Sequence, residues 1–350
     1  METESYYARM YETARFMDEA LLKAIQPLHE LDEAVFPLAS HLVLLRASNG
    51  RPKLRYGLVR AAYELCGGTD WKRDLVPACV AAELLNISTY VFNRIFDEKG
   101  GTKWSRMSVA NQSVAGMLLR ELVERAIAES EYASELKAKI LALLSELHFT
   151  LWNGFFLDLN RFEIEKVSSL SEAEYFALYE KKCADIAGAF GGKLAEIGAR
   201  IAGASDEQIE AVSKAGLLFF TAIQSTNDMA DFVVPAEGEV FKSYKDQFSD
   251  LLHGKAFLPV YHVLRHGSAS DKSFLLSFVG KESFTTEEIV RLNRLMVSSG
   301  AVEVSKRFTV QKVHAARKEL NIFPKTDARG FFKYMIAGVR SSKFWKGFPS

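Results

Sequence analysis

An apolar run that begins near Ala215 closes on Gln224-Ser-Thr-Asn-Asp-Met-Ala-Asp231. Asn227, Asp228 and Asp231 stand at i, i+1 and i+4, so on a helix Asp228 or Asn227, together with Asp231, presents oxygens to one cavity. Hard divalent cations take such oxygen sites, and Mg²⁺ commonly shares its shell with substrate phosphates. Lys245 follows, and then Lys255 within Asp250-Leu-Leu-His-Gly-Lys-Ala-Phe-Leu-Pro259. These two cations suit the neutralisation of a diphosphate. An N-cap or a solvated acidic turn would use the same acidic residues with no ligand at all; the lysines downstream shift the balance toward a site. Gln224, in an apolar helix, needs a partner once buried, either a metal-bound water or backbone.

The chain that must position these residues has 350 of them, 48% apolar, enough to bury a large core. Lys+Arg and Asp+Glu are both 44, so bulk attraction to nucleic acid is not expected, and only a local basic pocket remains open. Cys66, Cys79 and Cys183 are scattered without metal-ligand spacing, which points to a reduced, cytoplasmic protein. His148, His253, His262, His266 and His314 form no ligand pattern either. The N-terminal stretch is polar and mixed, and no uninterrupted apolar run approaches the ~18 residues of a membrane span.

Apolar residues recur at three and four spacing over 5–32, 34–46, 54–66, 75–96, 109–128, 133–159, 172–201, 206–232, 257–264, 286–298 and 302–320. Breaks fall at Pro27, at Asn49-Gly-Arg-Pro52, at Gly67-Gly68 and at Lys99-Gly-Gly101. Alternating β-branched runs are nearly absent. The expectation is a single all-α domain over 1–350, a bundle of ten or more helices around a central cavity.

The order of these features resembles the trans-isoprenyl diphosphate synthase (polyprenyl synthetase) family over roughly residues 40–340. The 224–231 stretch is similar to the family's second aspartate-rich motif. The segment from Tyr244-Lys245 to Pro259 is similar to its GKxxxxDLxxGKxTLP signature, Glu180-Lys-Lys182-Cys-Ala184 to its KTA element, and Gly154-Phe-Phe-Leu-Asp158-Leu to GQxxDL with Phe155 replacing Gln. The resemblance implies an all-α isoprenoid-synthase fold, Mg²⁺, an allylic prenyl diphosphate as ligand, and pairing as a homodimer or as a heterodimer with a related synthase. It implies metal ligation by Asn227, Asp228, Asp231 and in part Asp97. It also implies diphosphate binding by Lys182, Gln224, Lys245, Lys255, Arg55 and Arg94, and catalytic roles for Asp228, Asp231 and Lys182. In such chemistry the allylic C–O bond ionises while cations stabilise the leaving pyrophosphate.

The N-terminal half departs from that pattern. The family's GGKRxRP aligns on Gly50-Arg-Pro52-Lys53-Leu-Arg55-Tyr56, so the lysine that would hold isopentenyl diphosphate becomes Pro52 while Arg55 is kept. The histidine of the ELxH segment becomes Asn86. The first DDxxD becomes Asn93-Arg94-Ile-Phe-Asp97, with Glu98 beside it, and Lys103 and Arg106 do not reproduce the arginine pair. Arg94 sets a fixed cation where a metal would bind, either paired with Asp228 or Asp231 or aimed at phosphate. Three readings follow: an enzyme that ionises an allylic diphosphate and passes the cation to itself or to an acceptor other than isopentenyl diphosphate; a non-catalytic or regulatory subunit of a heteromeric synthase; or a prenyl-diphosphate binding protein.

Two further expectations concern the cavity. Asp228→Ala should weaken diphosphate binding with the fold intact. The family's tunnel-floor positions fall on Ser88 and Thr89, both small, so a farnesyl or geranylgeranyl chain should fit, with Tyr90 and Phe92 able to close the space from the side. Phe149, Trp152, Phe155, Phe156 and Phe96 read as core or as an aromatic lining.

Overall fold

The computed structural model describes residues 2–31, 35–47, 53–97, 107–230, 232, 248–281 and 284–341. The order is α1 (Glu2–Ala24), a 3₁₀ turn (Gln26–Glu30) at Pro27, α2 (Val35–Ala47), α3 (Leu54–Leu65), α4 (Trp71–Asp74) and α5 (Val76–Phe96). Then come α6 (Val109–Ala128), α7 (Ser134–Asn160), α8 (Ile164–Ser168), α9 (Glu172–Cys183), a π turn (Ala184–Gly188), α10 (Ala189–Ile201) and α11 (Asp206–Ala230). The C-terminal part holds α12 (Ser249–Leu252), α13 (Leu258–His266), α14 (Ala269–Leu276), α15 (Thr286–Ser298), α16 (Ala301–Glu319) and α17 (Asp327–Ser341). Among the described residues there is no strand, only an isolated bridge between Glu163 and Lys255. The all-α expectation holds.

Local chemistry sets the ends of these helices. Capping boxes open α9 (Ser171 with Glu174), α14 (Ser268 with Asp271) and α15 (Thr285 with Glu288), each satisfying two orphan N–H groups of the first turn. Proline near the start of α5 and α13 loses no intrahelical bond there. Five helices lie outside the periodic stretches: the short α4, α8 and α12, and the longer α14 and α17. α14 carries a legible S-x-x-D signal; α17 is a strongly two-faced helix whose Phe331, Phe332 and Ile336 are buried.

The stretch expected as one helix over 172–201 is interrupted by the π turn at 184–188. An extra residue in the ladder swings Ile186 and Ala187 toward the central cavity, a recurrent device at functional sites. Two close approaches hold this region. A Cβ on Gly191 would lie 2.3 Å from the Gly216 carbonyl oxygen, and one on Gly216 would lie 2.3 Å from that of Gly191. α10 and α11 therefore touch backbone to backbone. Gly154 of α7 likewise meets the backbone of Ile186, where a Cβ would lie 2.8 Å from its nitrogen.

One apolar core joins α1, α2, α3, α5, α6 and α7 to α10, α11 and the C-terminal helices. A second gathers Phe162, Tyr175, Tyr179, Phe248, Phe257 and Phe278 with neighbours through Phe308. α11 belongs to both, giving Phe219 and Phe220 to the first and Met229 to the second. α7 is long and apolar enough to cross a membrane by length and composition, the only such helix among the described residues. It divides its apolar surface between the core (Leu144, Leu147, Leu151) and an outward face (Phe149, Phe156).

Candidate active site

The last two turns of α11 set Gln224 one turn before Asp228, and the Gln224 amide donates to Asp228 Oδ1 at 2.9 Å. α9 runs alongside and presents two side chains three residues apart. The Tyr179 hydroxyl donates to Asp228 Oδ2 at 2.8 Å, and Lys182 Nζ lies 2.9 and 3.0 Å from the two carboxylate oxygens. Lys182 and Asp228 are both buried. Burial alone would lower the Lys182 pKa, but the Asp228 carboxylate beside it holds it above the usual lysine value. The Lys182 ammonium also sits 3.5 Å from the centre of the Phe257 ring, a desolvated cation–π contact.

Lys255 is delivered by a tight turn after α12. Gly254 adopts φ +69°, and Lys255 N donates to the Asp250 carbonyl at 2.8 Å, a left-handed conformation that glycine tolerates best. Lys255 Nζ then reaches Asp158 Oδ2 at 3.2 Å, Asp97 Oδ1 at 3.4 Å and Asp250 Oδ1 at 3.8 Å. Burial opposes its charge, and Asp158, Asp250 and Asp97 together keep its pKa above the ordinary value. Burial pushes the Asp158 carboxyl up, with Lys182 and Lys255 opposing it. Asp158 Oδ1 is buried with no hydrogen-bond partner among the described residues.

Both clusters open on one cavity of about 490 Å³ between α3, α5, α7, α9–α11 and α12. Its lining includes the polar side chains Asp97, Asp158, Lys182, Asp228, Asp250, Asn227 and Gln224 and the apolar Phe155, Ile186, Phe190 and Phe220. Arg55 lines the wall with its guanidinium 4.9 Å from the Phe190 ring centre.

The structure thus brings Arg55, Asp97, Lys182, Gln224, Asn227, Asp228 and Lys255 to one place. Asp231, Lys245, Pro52, Glu98, Lys103 and Arg106 lie outside the described residues. Arg94 lies against Tyr90, 3.4 Å from its hydroxyl and 5.8 Å from its ring centre. It is not among the partners of Asp228, so that pairing is not formed. Phe149 and Phe156 are exposed rather than core or lining, whereas Phe155 is buried at the cavity wall. Ser88 turns away from the cavity and donates to the Gly116 carbonyl of α6 at 2.8 Å; Thr89 is the small residue that lines it. The sequence reading did not single out Tyr179, Phe257 or Asp250 as site residues. Tyr179 has a signal, since it shares a helix face with Lys182 at i, i+3.

In the segment that resembles the isopentenyl-diphosphate site, Lys53 and Asn86 are each held by a neighbouring carboxylate. Lys53 Nζ is 2.6 Å from Asp18 Oδ2, and the Asn86 amide donates to Glu83 Oε1 at 3.0 Å. Burial pushes Asp18 up to about 6, against the pull of Lys53.

The carboxylate and amide oxygens of Asp228, Asp97 and Asn227 are the donors a hard divalent cation prefers. As folded they do not fit one. Lys182 already holds both Asp228 oxygens, and among the described residues no group of three or more His, Cys, Asp or Glu is arranged around a metal position.

A family model described as polyprenyl synthetase matches residues 46–296. The chain is 28% identical to the geranylgeranyl diphosphate synthase of Methanosarcina mazei over 283 residues, 78% of this chain and 80% of the relative. It is 24% identical to the geranylgeranyl pyrophosphate synthase of Geoglobus acetivorans over 318 residues, 89% and 91% of the two chains. Its fold is similar to that of the geranylgeranyl pyrophosphate synthetase from Pyrococcus horikoshii Ot3, with TM-score 0.80, 24% identity and coverage of 97% and 99%. It is also similar to a polyprenyl synthase from Caulobacter crescentus CB15, complexed with calcium and isoprenyl diphosphate, with TM-score 0.76, 21% identity and coverage of 96% and 97%.

Proposed function

Because the chain belongs to the polyprenyl synthetase family and is an isoprenoid enzyme of the prenyl diphosphate synthase type, we propose that it binds an allylic prenyl diphosphate in the central cavity and ionises it, without elongating the chain by isopentenyl diphosphate. The observation that carries this reading is the mixed lining of the cavity. Buried Lys182 lines it, buried Lys255 stands behind the lining residue Asp158, and Phe155, Ile186, Phe190 and Phe220 supply aromatic and aliphatic surface. The lysine ammoniums and the Arg55 guanidinium stabilise the charge that develops on the leaving diphosphate oxygens. Phe155, Phe190 and Phe220 keep water from the cation and offer ring faces to it. The resemblance implies Mg²⁺ with Asn227, Asp228, Asp231 and in part Asp97 as its donors; the described ones do not fit it as folded, because Lys182 holds both Asp228 oxygens.

Support for a lost isopentenyl-diphosphate site comes from Pro52 in the motif and from the pairings of its neighbours. Lys53 is engaged by Asp18 and Asn86 by Glu83, so neither is set out as a donor for a second diphosphate. The cation is then left to cyclise or to meet another acceptor. Incubation of the pure chain with Mg²⁺ and geranyl, farnesyl or geranylgeranyl diphosphate, without isopentenyl diphosphate, tests this. Pyrophosphate release is expected. Release only when isopentenyl diphosphate is added, with longer prenyl diphosphates as products, would overturn it.

A second reading, a non-catalytic subunit of a heteromeric synthase, draws on one feature. Six exposed large apolar side chains sit on α6 and α7, among them Met117, Phe149 and Phe156, and an apolar face of this kind marks an interaction surface. In the first reading the same face pairs two copies of this chain.

A further inference from the structure

Charge is spread unevenly along a chain whose totals cancel. Residues 311–350 hold nine Lys and Arg against two Asp and Glu, although the whole chain carries 44 of each. Both acids are engaged elsewhere, Glu319 with Lys214 at 3.0 Å and Asp327 with Arg9. Where α16 turns into α17 the cations converge. The Arg329 guanidinium donates to Asn321 Oδ1 at 2.8 Å, and Lys333 Nζ donates to the same oxygen at 2.9 Å. A second Arg329 nitrogen donates to the Phe323 carbonyl at 2.8 Å. One neutral amide oxygen thus orders two cations, and among the described residues neither they nor Arg317 and Lys325 has a carboxylate within ion-pair distance. Burial, and then Arg329, Arg317 and Lys325, lower the Lys333 pKa from the usual lysine value, as like charges held close together do. Ile322, in the same turn, leaves 51% of its surface exposed.

We propose that this turn, with Arg317, Lys325, Arg329, Lys333 and the exposed Ile322, is a docking surface for an anionic lipid bilayer. The four cations are exposed or half-buried, so a lone phosphate on them stays in water and is screened by salt. A charged membrane face meets all four at once, and each Lys or Arg near it adds its own attraction. An aliphatic side chain beside them enters the headgroup region, the second signal that holds a peripheral protein in place. The same aliphatic contact favours lipid over single-stranded nucleic acid, whose bases stack on flat aromatic rings. Beyond α17 the sequence repeats the combination in Lys343-Phe-Trp-Lys346-Gly-Phe348, and tryptophan is enriched at membrane–water interfaces. The surface is independent of the central cavity, to whose lining neither α16 nor α17 contributes.

Flotation of the full chain with lipid vesicles tests the surface. Binding to phosphatidylcholine vesicles with about one-third phosphatidylglycerol should be at least about tenfold tighter than to phosphatidylcholine alone. Raising the salt from about 0.05 M to about 0.5 M should release the protein. Lys325→Gln combined with Lys333→Gln should weaken binding to the anionic vesicles about tenfold or more, with Tm and helicity unchanged. Ile322→Ser keeps every charge and should weaken it as well. Inorganic phosphate should compete no better than chloride at equal ionic strength. Equal binding to neutral vesicles, no binding to anionic ones at low salt, or full binding by the double lysine variant would overturn the assignment. Selective competition by inorganic phosphate would overturn it in favour of a free-anion site. Tighter capture of a single-stranded oligonucleotide than of the anionic vesicles would overturn it in favour of nucleic acid.

Discussion

Lys182 and Asp228, 46 residues apart in sequence, face each other across the packing of α9 on α11 with the ammonium 2.9 and 3.0 Å from the two carboxylate oxygens. Both are buried, and the ring of Phe257 closes the remaining side of the ammonium.

That pairing changes what Asp228→Ala should do. The motif by itself leads to the expectation of weakened ligand binding on an intact fold. With Lys182 left charged and unpaired in the interior, the substitution should also cost about 3–5 kcal/mol of stability. Urea unfolding reads this as a lower midpoint, and Asp228→Ala combined with Lys182→Met should recover most of it. Equal midpoints for Asp228→Ala and the parent chain would show that the pair carries no stability.

Tyr179 bears on the same carboxylate without entering the cavity wall. Tyr179→Phe keeps the ring stacked on its aromatic neighbours and removes one donor from Asp228, a loss of about 1.5–3 kcal/mol for a hydrogen bond to a charged group. Pyrophosphate affinity in Mg²⁺ should fall about tenfold or more. Tyr175→Phe, whose hydroxyl bonds the Ala256 carbonyl instead, should leave that affinity alone. The same loss in both variants would mean that the aromatic cluster, and not the bond to Asp228, sets binding.

Asp18 gives a pH dependence with a definite sign. Its folded pKa is about 6, above the ordinary carboxyl value of about 4. Between those values the folded chain holds more protons than the unfolded one, so stability falls as pH rises from about 4 through about 6. The contribution is roughly 2–3 kcal/mol across the window. Asp18→Asn should flatten the slope of unfolding free energy against pH in that range. An unchanged slope would place the titration elsewhere.

Cavity length is tested at Thr89, not at Ser88. Thr89→Phe should displace a farnesyl or geranylgeranyl diphosphate while sparing dimethylallyl diphosphate, since each buried CH₂ contributes about 0.8 kcal/mol. Ser88→Phe pushes into α6 at Gly116, already close against Val91 and Phe92, and should lower Tm instead. Equal affinity of the Thr89→Phe variant for short and long diphosphates, matched by the parent chain, would show that the chain end does not use this wall.

The apolar face of α6 and α7 predicts the oligomeric state. Phe149 keeps 79% of its surface exposed, and sedimentation should find the parent chain as a dimer. Phe149→Asp with Phe156→Asp should give monomers with unchanged helicity. A parent chain that sediments as a monomer would remove the basis for this face as a dimer contact.

Helix class, helix limits and the candidate lysines and aspartates were legible in the chain because each rests on local rules. Periodicity at 3.6 residues, a capping serine or a glycine stop acts over a few residues. Even the cavity's membership followed from motif order, for Arg55, Lys182, Gln224 and Asp228 do meet there. What no local rule contained was who holds whom. Asp97 and Lys255 are 158 residues apart, and Asp18 of α1 meets Lys53 at the start of α3. Their pairing follows from tertiary packing, and for Lys255 from the turn that Gly254 permits before it. An aspartate that looked like an open metal ligand is a buried counter-ion, because burial makes any unpaired charge costly and the nearest ammonium in space takes it.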